Sequence, residues 1–231
     1  MITAAIVFTV SCNKSEDDAV TAQMTMTTHQ TRVTLQMGGS GTITINWGDG
    51  NKTLDVIPAW SQVQYTHEYA NSSVRNITVS GNNITYLVCN DISLSHLDVS
   101  GNNALTYLGC WNNQLKSLDI SKNTALAALN CVANELTGLD VSKNILLMGL
   151  QCYNNQLTQL DVSNNVVLEF LLCDDNKLTA EALNTMFETL HNNTLSSTKE
   201  IRIMLNPGAD SCDKSIVENK GWRVVSNFQE Q

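Results

Sequence analysis

Leu105-Thr106-Tyr107-Leu108-Gly109-Cys110-Trp111-Asn112-Asn113-Gln114-Leu115 is one instance of a phrase that recurs through the middle of the chain. Leucine stands at 87, 108, 129, 150 and 171, cysteine at 89, 110, 131, 152 and 173, and leucine again at 94, 115, 136, 157 and 178, each step being 21 residues. A second phrase, Leu-Asp-Val/Ile-Ser, keeps the same step at Leu97–Ser100, Leu118–Ser121, Leu139–Ser142 and Leu160–Ser163. An amphipathic helix would show a period near 3.6, which this segment does not. A fixed period of this size marks stacked coils, each too small to bury its own apolar face.

The repeated columns fit the leucine-rich repeat. Strand alternation sends Leu108 and Cys110 inward and Tyr107, Gly109 and Trp111 outward. Successive strands then form one long parallel sheet. Asn113, Asn134, Asn155 and Asn176 follow it as an asparagine column, whose amides are expected to bond buried backbone groups. Asp98, Asp119, Asp140 and Asp161 belong to the opposite turn, where a carboxylate bonds nearby backbone N–H groups; a column of this kind is structure, not a metal site. Ile92 departs from the pattern by standing where the first asparagine belongs. The step from Ile77 to Ile84 is also one residue shorter than the step from Leu97 to Leu105, as in an entry coil adapting to what precedes it.

The 231 residues allow two compact units, and a solenoid grows without a single round core. Charged residues make up 15% and the formal net charge is −9. That balance argues against nucleic acid, which needs a basic stripe, and against charge-driven docking to anionic lipid. Five of the seven cysteines belong to one column. Parallel neighbours lie about 4.8 Å apart with side chains pointing the same way, whereas a disulfide needs Cβ atoms about 3.8 Å apart. The column is therefore expected to hold free thiols acting as small hydrophobes.

Ile2–Val10 is apolar and too short to span a membrane. Thr9-Val10-Ser11-Cys12 resembles a lipobox, and the acidic Asn13–Asp18 run resembles the export tag of surface lipoproteins in certain Gram-negative bacteria. The resemblance implies lipid attachment at Cys12 and export to the outer membrane or cell surface; a plain N-terminal tail is the alternative. From Ala19 to about Ser80 the texture changes to Thr, Val and Ile, with alternation in Thr31–Met37, Thr42–Trp47 and Val74–Val79 that predicts strands. Gly38–Gly41 and Gly48–Asn51 predict turns. Trp47-Gly48-Asp49-Gly50 with Tyr65-Thr66-His67-Glu68-Tyr69 resembles the PKD-type β-sandwich, here in reduced form and leaning on the first coil. His67 is expected to be a satisfied structural histidine, and Asp49 a turn residue.

After the coils, Thr179–Leu190 predicts a helix with Thr179 as N-cap and Leu183, Met186, Phe187 and Leu190 as its apolar stripe. Ile201–Leu205 predicts a strand, Ser211–Asn219 a short helix and Trp222–Val225 a last strand. Together they close an end that would otherwise expose leucines and bare backbone. Residues 77–226 resemble the 21-residue repeat family of surface proteins in gut-type bacteria. The expected fold is an α/β leucine-rich repeat solenoid with a parallel sheet, after a small β-sandwich-like module and before an α/β cap. Its parts are a lipoprotein signal and acidic tether (1–18), a PKD-like module (19–80), the repeats (81–178) and the cap (179–231).

No catalytic constellation is present. His29, His67, His96 and His191 are scattered without metal-ligand spacing, and no phosphate loop or Gly-x-Ser-x-Gly occurs. Neither an enzyme nor a cofactor or metal is expected. The outward sheet face is more informative: Tyr86, Tyr107, Trp111, Asn130, Val132, Gln151, Tyr153 and Phe170 are candidate binding residues, with Trp111 and Tyr153 flanking Val132 in an outward column that ends at Asp174. Contiguous exposed aromatics mark binding surfaces. The alternative is a face covered by the N-terminal module, the cap or a second copy. The expected partner is a protein at the cell surface, or else a glycan stacking on Trp111 and the tyrosines; a purely structural envelope role is the third reading.

Overall fold

The computed structural model describes residues 23–193 and 198–225. Cys12 and the tether lie outside the described residues. The chain opens with β1 (Gln23–Thr28), β2 (Arg32–Asn46), β3 (Lys52–Glu68) and β4 (Arg75–Ser80). Alternation in β1, β2 and β4 puts Met24, Met26, Val33, Leu35, Met37, Ile43, Ile45, Ile77 and Val79 inside. The first coil adds β5 (Ile84–Val88) and β6 (His96–Asp98).

Gly38–Gly41 is not a turn. β2 runs straight through it, with a bulge between Gly39 and Gly41. Below the bulge β2 pairs with β5 through Gln36–Gly39, and above it with β4 through Thr44–Asn46. The glycines permit this hand-over. Gly39 has φ 139°, and a Cβ there would lie 2.0 Å from the Asn83 carbonyl oxygen. At the far end of the module, β1 pairs with β6. Strands of the module thus hold the first coil at both β5 and β6, covering the end where stacking would otherwise stop.

Each later coil contributes one three-residue strand: β7 (Tyr107–Gly109), β8 (Ala128–Asn130), β9 (Gly149–Gln151) and β10 (Phe170–Leu172), parallel and in register at equivalent positions. Leu105, Leu108, Cys110, Leu115 and their repeats are buried. The asparagine column spans coils as expected. Asn134 Nδ2 donates to the carbonyls of Cys110 (3.0 Å) and Cys131 (3.1 Å), and its Oδ1 accepts from Leu115 N at 3.0 Å. Asp98, Asp119, Asp140 and Asp161 each accept from the backbone N–H of the serine two residues on, at 2.8–2.9 Å. A second buried column, Asn102, Asn123, Asn144 and Asn165, keeps the same step. Asn123 Nδ2 donates to the carbonyls of Val99 and Asn102, while its Oδ1 is buried without a partner.

The cap is α1 (Ala180–Thr189), β11 (Lys199–Arg202), α2 (Ser215–Glu218) and β12 (Trp222–Val224). Thr179 caps α1 by accepting from Ala182 N, and Leu183, Met186 and Phe187 are buried. β11 begins and ends earlier than the sequence predicts, and α2 is confined to four residues. Asn206 extends the asparagine column into the cap, donating to the Cys173 carbonyl and accepting from Leu178 N. Lys220 Nζ donates to the carbonyls of Phe187, Glu188 and Leu190, satisfying the end of α1. β11 and β12 prolong the parallel sheet, whose full path is β12-β11-β10-β9-β8-β7-β5-β2-β4-β1-β6, with β3 beside β2.

Candidate functional site

Strand register defines the outward face. One column runs Gly38, Tyr86, Tyr107, Ala128, Gly149, Phe170, Glu200, and the next Gln36, Val88, Gly109, Asn130, Gln151, Leu172, Arg202. Gly38 pairs in turn with Gln62 of β3, and Gln36 with Gln64. The described strands of the module therefore do not cover the face but lengthen it. Tyr86 and Tyr107 stack with centroids 4.6 Å apart and planes 13° apart. Ala128 and Gly149 make a low floor between Tyr107 and Phe170, and a Cβ at Gly149 would meet nothing within 4 Å. Asn130 Nδ2 donates to Gln151 Oε1 at 3.2 Å beside that floor, and Gln36 Nε2 to Gln62 Oε1 at 3.0 Å nearer the module.

Charge gathers at the cap end. Arg202 Nε contacts Asp174 Oδ2 at 2.5 Å, and its guanidinium lies 5.2 Å from the centroid of the Tyr153 ring. Burial raises the Asp174 carboxyl above its usual range, and the hydrogen bond from Arg202 pulls against that shift. Burial likewise raises the Tyr107 phenol, so it stays protonated at neutral pH. From Gln62 to Phe170 and from Gln64 to Leu172 the two columns carry no charged side chain, although the whole chain has a net charge of −9.

Parallel strands at a constant 21-residue step, asparagine columns bridging them and a cap at each end decide the architecture. The fold is a leucine-rich repeat solenoid. No family model and no curated protein sequence matches the chain. Among solved structures, the solenoid is similar to the functional domain of InlJ from Listeria monocytogenes, which includes a cysteine ladder. Identity is 33% and the TM-score 0.44, over 52% of this chain and 25% of that one. An internalin of Listeria monocytogenes strain 4b F2365 is 17% identical with a TM-score of 0.41, over 55% of this chain and 38% of that one. A leucine-rich repeat protein of Leptospira interrogans is 20% identical with a TM-score of 0.42, over the same shares, 55% and 38%. The chain thus spans less than two thirds of the length of these neighbours.

The solenoid brings most of the candidate residues onto one surface. Gln151 is exposed, Phe170 43% and Trp111 36% exposed, and Tyr86, Tyr107, Asn130 and Tyr153 half-buried. Val132 is a correction: it is only 7% exposed. β8 ends at Asn130, so strand alternation no longer governs position 132, where the chain turns in between the coils of Trp111 and Tyr153. Gly109 and Asp174, also expected to point outward, are buried as well. His67 is held inside the module, stacked on Trp47 at 4.9 Å and bonded through Nε2 to Asp49 Oδ2 at 2.7 Å.

Sequence reasoning missed the extension through Gly38 and Gln62, because only the pairing of β2 with β5 below the bulge joins them to the coils. It also missed an apolar flank. Ile145, Leu146, Met148 and Val166 are about half exposed, beside a cavity of about 400 Å³ that His191 of the cap helps to line. Comparing coils shows the signal, since Asn103, Ala104 and Thr106 hold the positions of Ile145, Leu146 and Met148 two coils earlier. Among the described residues no group of three or more His, Cys, Asp or Glu side chains is placed to hold a metal ion. No described helix is long and apolar enough to cross a membrane.

Proposed function

We propose that this protein is a binding or adhesion module of a bacterial cell surface, taking a protein partner on the outward sheet face and tethered by lipid at Cys12. Its proposed parts are the signal and tether (1–18), the PKD-like module (19–80), the repeats (81–178) and the cap (179–231). One observation carries the reading. Two neighbouring columns of the face run from β3 to β10 without a charged side chain, carry stacked and exposed aromatic rings, and are left open by the described residues of both flanking parts. Uncharged aromatic surfaces of this kind supply interface hot spots. Tyr86, Tyr107, Trp111 and Phe170 are the proposed anchors, with Asn130, Gln151 and Tyr153 as polar contacts and Val132 as support beneath. A second reading, a neutral glycan, is favoured by the amides of Asn130 and Gln151 beside the aromatic floor.

The test is a screen of the chain on arrays of extracellular proteins and of glycans, repeated with Tyr107→Ala, Trp111→Ala and Gly149→Arg. Lys122→Ala is the control. Because a Cβ at Gly149 meets no atom within 4 Å, an arginine there obstructs the face without disturbing the coil. Truncating a hot-spot aromatic costs roughly thirtyfold in affinity. The expected result is a protein ligand lost in all three variants at unchanged melting temperature and kept in the control. Binding that survives Gly149→Arg refutes the reading, and a ligand found only among the glycans transfers the site to the second one.

A further inference from the structure

The sheet ends differently at its two sides. At the cap it finishes in β12, three residues long; at the module one branch runs through β4 and β1 to β6, three residues long, and the other finishes in β3, seventeen residues long. Among the described residues β3 pairs with β2 alone. An edge of this length presents a row of unpaired backbone groups, which natural proteins cover, shorten or charge.

The direction of those groups follows from the register. Tyr69 N donates to Thr31 O at 2.7 Å, continuing the register in which Arg32 faces Glu68 and Val33 faces His67. Directly opposed antiparallel residues alternate between hydrogen-bonded and non-hydrogen-bonded pairs. His67, Tyr65, Val63 and Ser61 therefore bond β2, while the N–H and C=O groups of Glu68, Thr66, Gln64 and Gln62 point away from it. The partner strand shows the same phase, because Gln36 and Gly38, opposite Gln64 and Gln62, are the residues that face β5. All four outward positions of β3 are exposed. Just beyond them stands Trp60, 102% exposed at φ 66°, a conformation that bulky residues rarely adopt.

We propose that β3 is the interface for a second copy of this chain, paired antiparallel about a two-fold axis at Gln64. That register sets Thr66 against Gln62 of the second copy and Glu68 against Trp60 of the second copy. Every pair up to Thr66 joins two outward-pointing residues, as hydrogen bonding requires. Gln62, Gln64 and Thr66 are uncharged, so identical strands meet without repulsion. The register also gives the Trp60 ring a destination at the exposed Arg32–Glu68 ion pair, where the guanidinium is available to an aromatic face. Such an isologous contact closes on itself. It would join the two outward faces in one sheet and present two copies of the aromatic site to a multivalent surface. Pro58 and the bend at Trp60 confine the pairing to the segment that follows them, because proline offers no N–H.

Sedimentation of the full chain under reducing conditions, across a wide concentration range, tests this. The expected result is a reversible monomer–dimer equilibrium. Gln64→Pro removes only an outward N–H and leaves the β2 ladder intact, so it should fold normally and weaken the dimer at least about tenfold. Trp60→Ala should weaken it similarly. Gln64→Cys places one thiol on the two-fold axis, where opposed Cα atoms lie about 5.5 Å apart, within disulfide range. It should crosslink under mild oxidation while the wild type does not. A wild-type chain that stays monomeric at millimolar concentration overturns the proposal. So does a dimer that persists in Gln64→Pro and forms no crosslink in the Gln64→Cys variant.

Discussion

Asn134→Ala tests the physical basis of the repeat. The amide is 8% exposed and makes three contacts that matter here: donation to the Cys110 carbonyl of the preceding coil and the Cys131 carbonyl of its own, and acceptance from Leu115 N of the preceding coil. Alanine removes all three. Leu115 N–H then has no partner, and an unsatisfied buried group costs about 1–3 kcal/mol. The two carbonyls lose a donor each, which raises the sum, and water entering the space lowers it. The expected loss is about 3 kcal/mol, a large share of a typical stability of about 5–15 kcal/mol. Two controls sharpen the reasoning. Asn130→Ala removes a half-exposed amide and should cost within about 0.5 kcal/mol. Asn123→Ala is as deeply buried but should cost less than Asn134→Ala, because its Oδ1 accepts nothing and its removal relieves an orphaned acceptor. Urea melts with unchanged slopes read all three. An Asn134→Ala loss no larger than that of Asn130→Ala refutes the reasoning.

Other outcomes follow from single columns. Asp91, Asn112, Ala133, Asn154 and Asp175 share φ between 47° and 56°, and Ala133 alone lacks a side chain suited to it; Ala133→Gly should stabilise by about 0.5–1 kcal/mol in the same melts, and a loss would contradict the left-handed column. The five column thiols are free and fully buried, and burial raises Cys89 and Cys131 to about 12 and the others well above the usual thiol range. They should resist a thiol reagent in the native protein and react after denaturation without reductant; fewer than four reacting would show that they are paired. The His67 hydrogen bond, joined by the Asn51 backbone N–H, lowers the Asp49 carboxyl to about 2. A depressed carboxyl stabilises above its unfolded pKa of about 4, and that contribution is lost as pH falls toward 2. Asp49→Asn should therefore flatten the acid side of the stability profile between about pH 4 and 2; identical acid slopes would remove Asp49 from the account.

The repeat is legible in the sequence because its contacts join equivalent positions 21 residues apart. Asn113, Asn134, Asn155 and Asn176 meet the same neighbours in every coil, so the constraint is written once per coil. The Asp turns and the Thr179 cap are local, and local chemistry suffices to predict them. Strand alternation also placed Tyr107 and Phe170 outward, where the strand persists. It failed at Val132 and Asp174, because a three-residue strand ends before those positions.

Contacts made once leave no such echo. Gly38–Gly41 has the composition of a turn. It is a bulged strand because Gly39 packs against the Asn83 carbonyl and Ser40 N donates to it, 43 residues away in sequence. Lys220 closing α1 and Asn206 continuing the asparagine column are likewise single long-range events. Residue type and spacing suffice for the coil, its period and the columns that fill its core. The lengthening of the aromatic face by the module, and the open edge left at β3, come instead from which strand β2 meets on each side of its bulge. Nothing in the period specifies that pairing, because it joins segments that do not repeat.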